Sequence, residues 1–137
     1  MKNKLACSIL FAFPLFVNTC KDPKLAPCFD IKQISQQWRN EYIQIQEYNV
    51  KSTSEGSYRI YPTGIFKLNI DGTYNVVSDE VPLNGKWMFN SDCSITLDKE
   101  SSNQRTFTIV KLTGDSLVIS RKDKATLTIY TQHYSKN

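Results

Sequence analysis

Few residues in this chain are of types that do chemistry. His133 is the only imidazole, and it stands near a C-terminus expected to fray, where an isolated surface histidine is the ordinary reading. Asp71, Asp92, Asp115 and Asp123 all fall at turns, where Asp is favoured because its carboxylate bonds the local backbone. No two carboxylates stand at a spacing that suggests acid–base work, and there is no paired-cysteine metal spacing or glycine-rich phosphate loop. An enzyme is therefore not expected, nor a cofactor or a metal. The 17 Lys and Arg against 13 Asp and Glu give a formal net charge of +4, and Lys2 and Lys4 belong to a segment expected to be removed. An excess that small and unclustered does not make a nucleic-acid surface. At 40% hydrophobic and 22% charged, the chain is neither disordered nor a multi-span membrane protein. What remains is four cysteines, Cys7, Cys20, Cys28 and Cys93, and the segments that place them.

The first two cysteines lie in or beside an export signal. Residues 1–4 are a short basic stretch and residues 5–17 an apolar run broken only by Cys7, Ser8 and Pro14. The run falls short of the roughly 20 residues that span a bilayer as a helix. It has the length and charged flank of a signal peptide, and it lacks the polar positions at helical spacing of a buried core helix. Val17-Asn18-Thr19-Cys20 followed by Lys21-Asp22-Pro23 resembles the lipobox of bacterial lipoproteins, in which an aliphatic residue sits three places before the modified cysteine. Asn18 and Thr19 depart from the small residues usual there, and simple secretion with cleavage elsewhere is the alternative. The resemblance implies that residues 1–19 are removed and that Cys20 becomes the first residue, carries acyl groups such as palmitate, and anchors the chain. One acyl chain anchors only marginally, whereas the two or three of a lipoprotein hold stably. Residues 20–29 then read as a tether, in which residues 21–27 reach at most about 25 Å. The expected address is the cell envelope, on the outer membrane, with the domain in the periplasm or at the cell surface. With Cys7 removed and Cys20 acylated, Cys28 and Cys93 remain as a pair that an oxidising compartment would let bridge. Closing that loop would stabilise the fold by about 4 kcal/mol. Two free thiols are the alternative.

Residues 30–137 read as one domain of short strands. Asp30 can cap a short helix in which Ile31, Ile34 and Trp38 share a face. After it, period-2 alternation takes over. Phe66, Leu68 and Ile70 alternate with Lys67 and Asn69, Asp71-Gly72 follows, and Tyr74 and Val76 alternate with Thr73 and Asn75. Two such runs joined by Asp-Gly predict a hairpin with a type I′ turn. Residues 86–89 and 94–97 form a second pair around Ser91-Asp92, residues 106–112 and 117–120 a third around Thr113-Gly114-Asp115, and residues 125–134 a last strand. Upstream, residues 42–48 and 58–61 read as two more. Eight to nine short strands with hairpin-length connections predict an all-β, antiparallel meander, and closure into a barrel hides its edges. The expected inward set is Phe66, Leu68, Ile70, Tyr74, Val76, Trp87, Phe89, Ile95, Leu97, Phe107, Ile109, Leu117, Ile119, Leu127 and Ile129.

A tryptophan after a short helix, then Phe66-x-Leu68-x-x-Asp71-Gly72-Thr73-Tyr74, Gly85-x-Trp87, Phe107-x-Ile109-x-x-Leu112 and Leu117-Val118-Ile119, resembles the small lipocalin-like domains of bacterial lipoproteins. Gln36 departs from the Gly that such domains often carry two places before the first Trp. The resemblance implies a small lipocalin-like barrel that takes a small apolar or amphipathic ligand, with Trp38, Phe66, Tyr74, Trp87 and Phe107 as ligand-binding candidates. Eight-stranded barrels sit at the size where side chains either fill the lumen or leave room for one small ligand, so a packed core without a cavity is the competing outcome. A second class of function is a protein-interaction or inhibitor module. There the barrel is a scaffold and loops such as residues 51–56 or 78–84 engage an envelope protein partner. Tyr58, Tyr61, Tyr130 and Tyr134 would suit such an interface if exposed, and burial of half of them is the alternative.

Overall fold

A computed structural model describes residues 28–48, 55–78 and 82–137. The signal segment, Cys20, the tether up to residue 27, and most of the 51–56 loop lie outside the described residues. Asp30 caps α1 (Ile31–Ile34), its carboxylate accepting from the Lys32 N–H at 2.9 Å. Nine strands follow: β1 (Gln37–Tyr48), β2 (Glu55–Ile60), β3 (Ile65–Leu68), β4 (Thr73–Val77), β5 (Leu83–Phe89), β6 (Ser94–Leu97), β7 (Arg105–Leu112), β8 (Ser116–Lys122) and β9 (Ile129–Lys136).

Closure depends on the length of β1. Its 12 residues pair along one side with β9 from Trp38 to Gln46. On the other side β3 takes Gln37 to Arg39 and β2 takes Ile43 to Tyr48. From β3 to β9 every strand pairs antiparallel with the next. The result is an eight-stranded closed meander with β2 as an extra strand on β1. This is the up-and-down arrangement that lipocalins use, as the alternation predicts. All of these pairings, and the core they enclose, lie within residues 28–137.

Several expected boundaries move, each for a local reason. Trp38 belongs to β1, not to the helix face, and Ile31 is 40% exposed. The Asp71-Gly72 turn is not type I′. Gly72 N–H bonds the Asn69 carbonyl at 3.1 Å and only Gly72 has positive φ, at 83°. This is a turn closed by a glycine bulge, and it leaves Ile70 on the outer tip, 63% exposed. The last strand starts at Ile129 rather than residue 125. Asp123 gathers the Ala125 and Thr126 N–H groups into a turn, and Leu127 sits there with φ of 57°, not facing the interior. Val76, Phe89 and Ile129 are only half-buried. The C-terminus is not frayed: β9 runs to Lys136, and His133 lies within it, stacked on Tyr42 with ring centroids 4.1 Å apart. Burial, then the nearby Arg59 charge, lower the His133 pKa.

Two hairpin tips share one construction. In the first, Asp71 accepts from the Thr73 N–H and hydroxyl while the Asn69 amide bonds Thr73 and Asn75. In the second, Asp92 accepts from the Ser94 N–H and hydroxyl while the Asn90 amide bonds Ser94 and Thr96. The position that Gly72 holds in the first is held by Cys93 in the second, at φ of 65°. A side chain in that region costs about 1–2 kcal/mol. Cys93 is there to bond Cys28, with Cα atoms 5.6 Å apart, so the pair is a disulfide that ties the start of the domain to the β5–β6 tip.

The disulfide closes a loop of 65 residues, and cross-linking a chain over that separation restricts the unfolded ensemble. Cys28→Ser with Cys93→Ser should therefore lower unfolding stability by about 4 kcal/mol in urea titrations. Cys28→Ser with Cys93→Gly should recover about 1 kcal/mol of that loss by relieving the positive φ. Equal stability of the two double variants would show that the Cys93 backbone is not strained.

Candidate functional site

In an antiparallel meander alternate hairpins emerge at the same end. The β3–β4, β5–β6 and β7–β8 tips therefore share one end with α1. That end is closed by two tryptophans. Trp38 is fully buried and its indole N–H bonds the Ile34 carbonyl at 2.9 Å. Trp87 is 5% exposed, and its indole N–H bonds the Asn69 carbonyl at 2.8 Å. Ile34, Leu68, Ile95, Ile109 and Leu117 belong to the same buried cluster. Each large side chain fully buried there contributes about 1.5–3 kcal/mol.

The other half of the lumen is not filled. A cavity of about 210 Å³ lies inside the barrel, lined by apolar side chains that include Ile43, Phe66, Leu97, Phe107 and Ile119. Polar groups converge on it from Asn40, Tyr74, Arg105, Gln132 and Tyr134. It reaches residues 62–65, Ser78 and Leu83, which belong to the end opposite the tryptophans.

A β-bulge arranges part of this lining. The β1–β9 register shifts between Asn40 and Tyr42, which adds one residue at Glu41. Asn40 and Ile43, three apart, therefore both face the cavity, and Tyr42 is turned outward onto His133. Opposite, the Tyr74 ring lies across Gly85, its register partner. A Cβ at Gly85 would fall 2.6 Å from the Tyr74 ring and 2.1 Å from an Asp98 carboxylate oxygen, so only glycine fits without displacing both. Overpacking of this kind costs about 1–3 kcal/mol. The Tyr74 hydroxyl donates to Asp98 at 2.5 Å. Burial and then that carboxylate raise the phenol pKa, and Arg105 counters them. Burial pushes Tyr134 up further, so both phenols remain protonated donors at neutral pH. Tyr134 donates to the Gln132 side chain.

Of the five ligand-binding candidates from the sequence, Phe66, Tyr74 and Phe107 line the cavity. Trp38 and Trp87 are in the packed floor at the closed end instead. Of the four tyrosines named for an interface, Tyr58 and Tyr61 are exposed at 48% and 70%, Tyr130 is half-buried, and Tyr134 is 7% exposed and faces the lumen. Arg105, Asn40 and Gln132 were not anticipated. The signal for Arg105 was present, since it extends the Phe107–Ile109 alternation by one step. Among the described residues no group of three His, Cys, Asp or Glu side chains is placed to hold a metal ion.

No family model matches this chain, and no curated protein matches it. Among solved structures it is similar to a bovine odorant binding protein, a deswapped triple mutant. The two are 22% identical, and the match covers 77% of this chain and 74% of that chain at a TM-score of 0.43.

Proposed function

We propose that this protein is a lipid-anchored binding protein of the cell envelope that holds one small apolar or amphipathic molecule in its barrel, without catalysing a reaction on it. The observation that supports this reading most is the cavity of about 210 Å³ at one end of a barrel whose other end is covered by two buried tryptophans. Binding sites for small molecules are concave and mostly apolar, with a few converging polar groups, and this cavity has that composition. Its size is below the roughly 300–1,000 Å³ of sites for drug-sized ligands, which favours a short-chain occupant.

The lipid anchor rests on the sequence around Cys20. If Cys20 is acylated, the tether and the Cys28–Cys93 disulfide bring the membrane to the tryptophan-closed end. With a reach of at most about 25 Å, residues 21–27 would keep the barrel near the surface. A second reading, a module that engages an envelope protein, has one specific observation in its favour. Among the described residues strand β2 pairs only with β1, which leaves its other edge without a described strand, and Tyr58 and Ile60 on it are exposed. A free strand edge is a template for pairing with another chain.

Calorimetric titration of the oxidised domain from Lys21 onward with octanol tests the first reading. It predicts saturable one-to-one binding that a bulky Leu97→Trp replacement weakens at least tenfold; absence of any binding, together with a bare mass for protein purified from membranes, would contradict it. The anchor is tested by growth with an alkyne fatty acid. Wild-type protein should take the label and Cys20→Ser should not, and unlabelled wild-type protein would remove the anchor.

A further inference from the structure

Two of the inward positions nearest the open end carry charge. Register pairs Arg105 with Leu97 and Arg121 with Tyr130. Arg105 thus continues the inward row of Phe107 and Ile109, and Arg121 continues that of Leu117 and Ile119. Arg105 is half-buried and lines the cavity, and its Nε lies out of reach of solvent with no hydrogen-bond partner among the described residues. The Asn40 Oδ1 on the cavity wall is in the same condition. Outside the cavity, Arg105 also lines a wider cleft with Lys86, Lys99 and Arg121, which among the described residues face a single carboxylate, Asp98. That carboxylate already accepts from the Tyr74 hydroxyl. Arg121 lies over the rings of Phe107, 6.0 Å away, and Tyr130, 5.2 Å away. It is held at the rim by these contacts, whereas the Arg105 Nε–H is not engaged.

We propose that the barrel's ligand is an amphipath with an anionic head group, a carboxylate or phosphate monoester, received by Arg105 at the mouth while its short chain lies on Phe66, Phe107 and Ile119. A guanidinium matches either acid through paired N–H donors. The cationic rim raises the local concentration of an anion at the mouth, and the water-excluded wall strengthens the contact once made. Tyr74 and Tyr134 stay protonated, so neither phenol adds a negative charge that would repel the head group. The assignment rests on the cavity-binding reading above and fixes the chemical class of its occupant.

Octanol, octanoate, octyl phosphate and octylamine share a chain and differ in head group, so titrating all four into the oxidised domain at pH 7.5 separates the two claims. At least one of the two anions should bind about tenfold or more tighter than octanol, and the tighter of them names the acid. Arg105→Gln should erase that advantage, while Arg121→Gln should reduce it only in part. Anion affinity of the wild-type chain should fall with added salt and octanol affinity should not, a readout that needs no variant. Octanol binding as tightly as both anions, octylamine binding tightest, or an anion preference that survives Arg105→Gln would overturn the head-group assignment and leave the cavity reading intact. If none of the four binds, both fall.

Discussion

Two indole N–H groups decide which end of this barrel is solid. Trp38 and Trp87 are large enough to fill the lumen between facing strands, but each carries a donor that burial would leave unsatisfied at a cost of about 1–3 kcal/mol. Each finds a backbone carbonyl at the same end. Trp38 bonds the last turn of α1, and Trp87 bonds Asn69 at the first hairpin tip. The short helix is thereby more than a lead-in to β1. With Ile34 fully buried beneath it, the helix covers the floor, and the Cys28–Cys93 bond holds its approach to a neighbouring tip. With both tryptophans at that end, the unfilled volume lies at the other.

The second constraint is parity. In a closed sheet the face of every side chain follows from its position modulo two, so the interior changes character along each strand as the sequence does. On β7 the inward row runs Ile109, Phe107, Arg105 from floor to mouth, and on β8 it runs Leu117, Ile119, Arg121. Apolar residues thus give way to cations within two steps. Bulges break parity where it would aim the wrong group. The extra residue at Glu41 brings Asn40 and Ile43 to the same wall, and the irregularity between Ile109 and Lys111 leaves Val110 outside, 60% exposed.

Much of this was legible in the residues because a half-buried antiparallel strand writes its faces directly as alternation. The runs around Phe66, Trp87, Phe107 and Leu117 gave the strands and most of the floor. What misled the reading was local turn chemistry and strand ends. Asp71-Gly72 is a common two-residue hairpin pair, but the Asn69 and Asp71 side chains stabilise a wider tip that takes Ile70 out of the sheet. The same Asn-x-Asp-x-Ser/Thr pattern recurs at Asn90, where a cysteine in the glycine position hid the likeness. Ending β7 at Thr106 and β8 at Ser120 stopped each alternation one residue before the arginine that gives the cavity its polarity. A charged residue at a strand end ordinarily marks the boundary, and only closure of the barrel shows that these two point inward. Whether aromatic side chains fill a lumen or rim it depends on where each meets its neighbours across several strands, which no single strand records.

The account depends on a floor sealed by the only two tryptophans in the chain. Native-state hydrogen exchange followed on the two indole N–H resonances measures that seal directly. Both should exchange as slowly as the backbone amides of β6 and β8, because opening either would require the floor to come apart. An indole that exchanges at the rate of free tryptophan while the core amides stay protected would mean that this end is open, and the placement of the cavity and its mouth would be wrong.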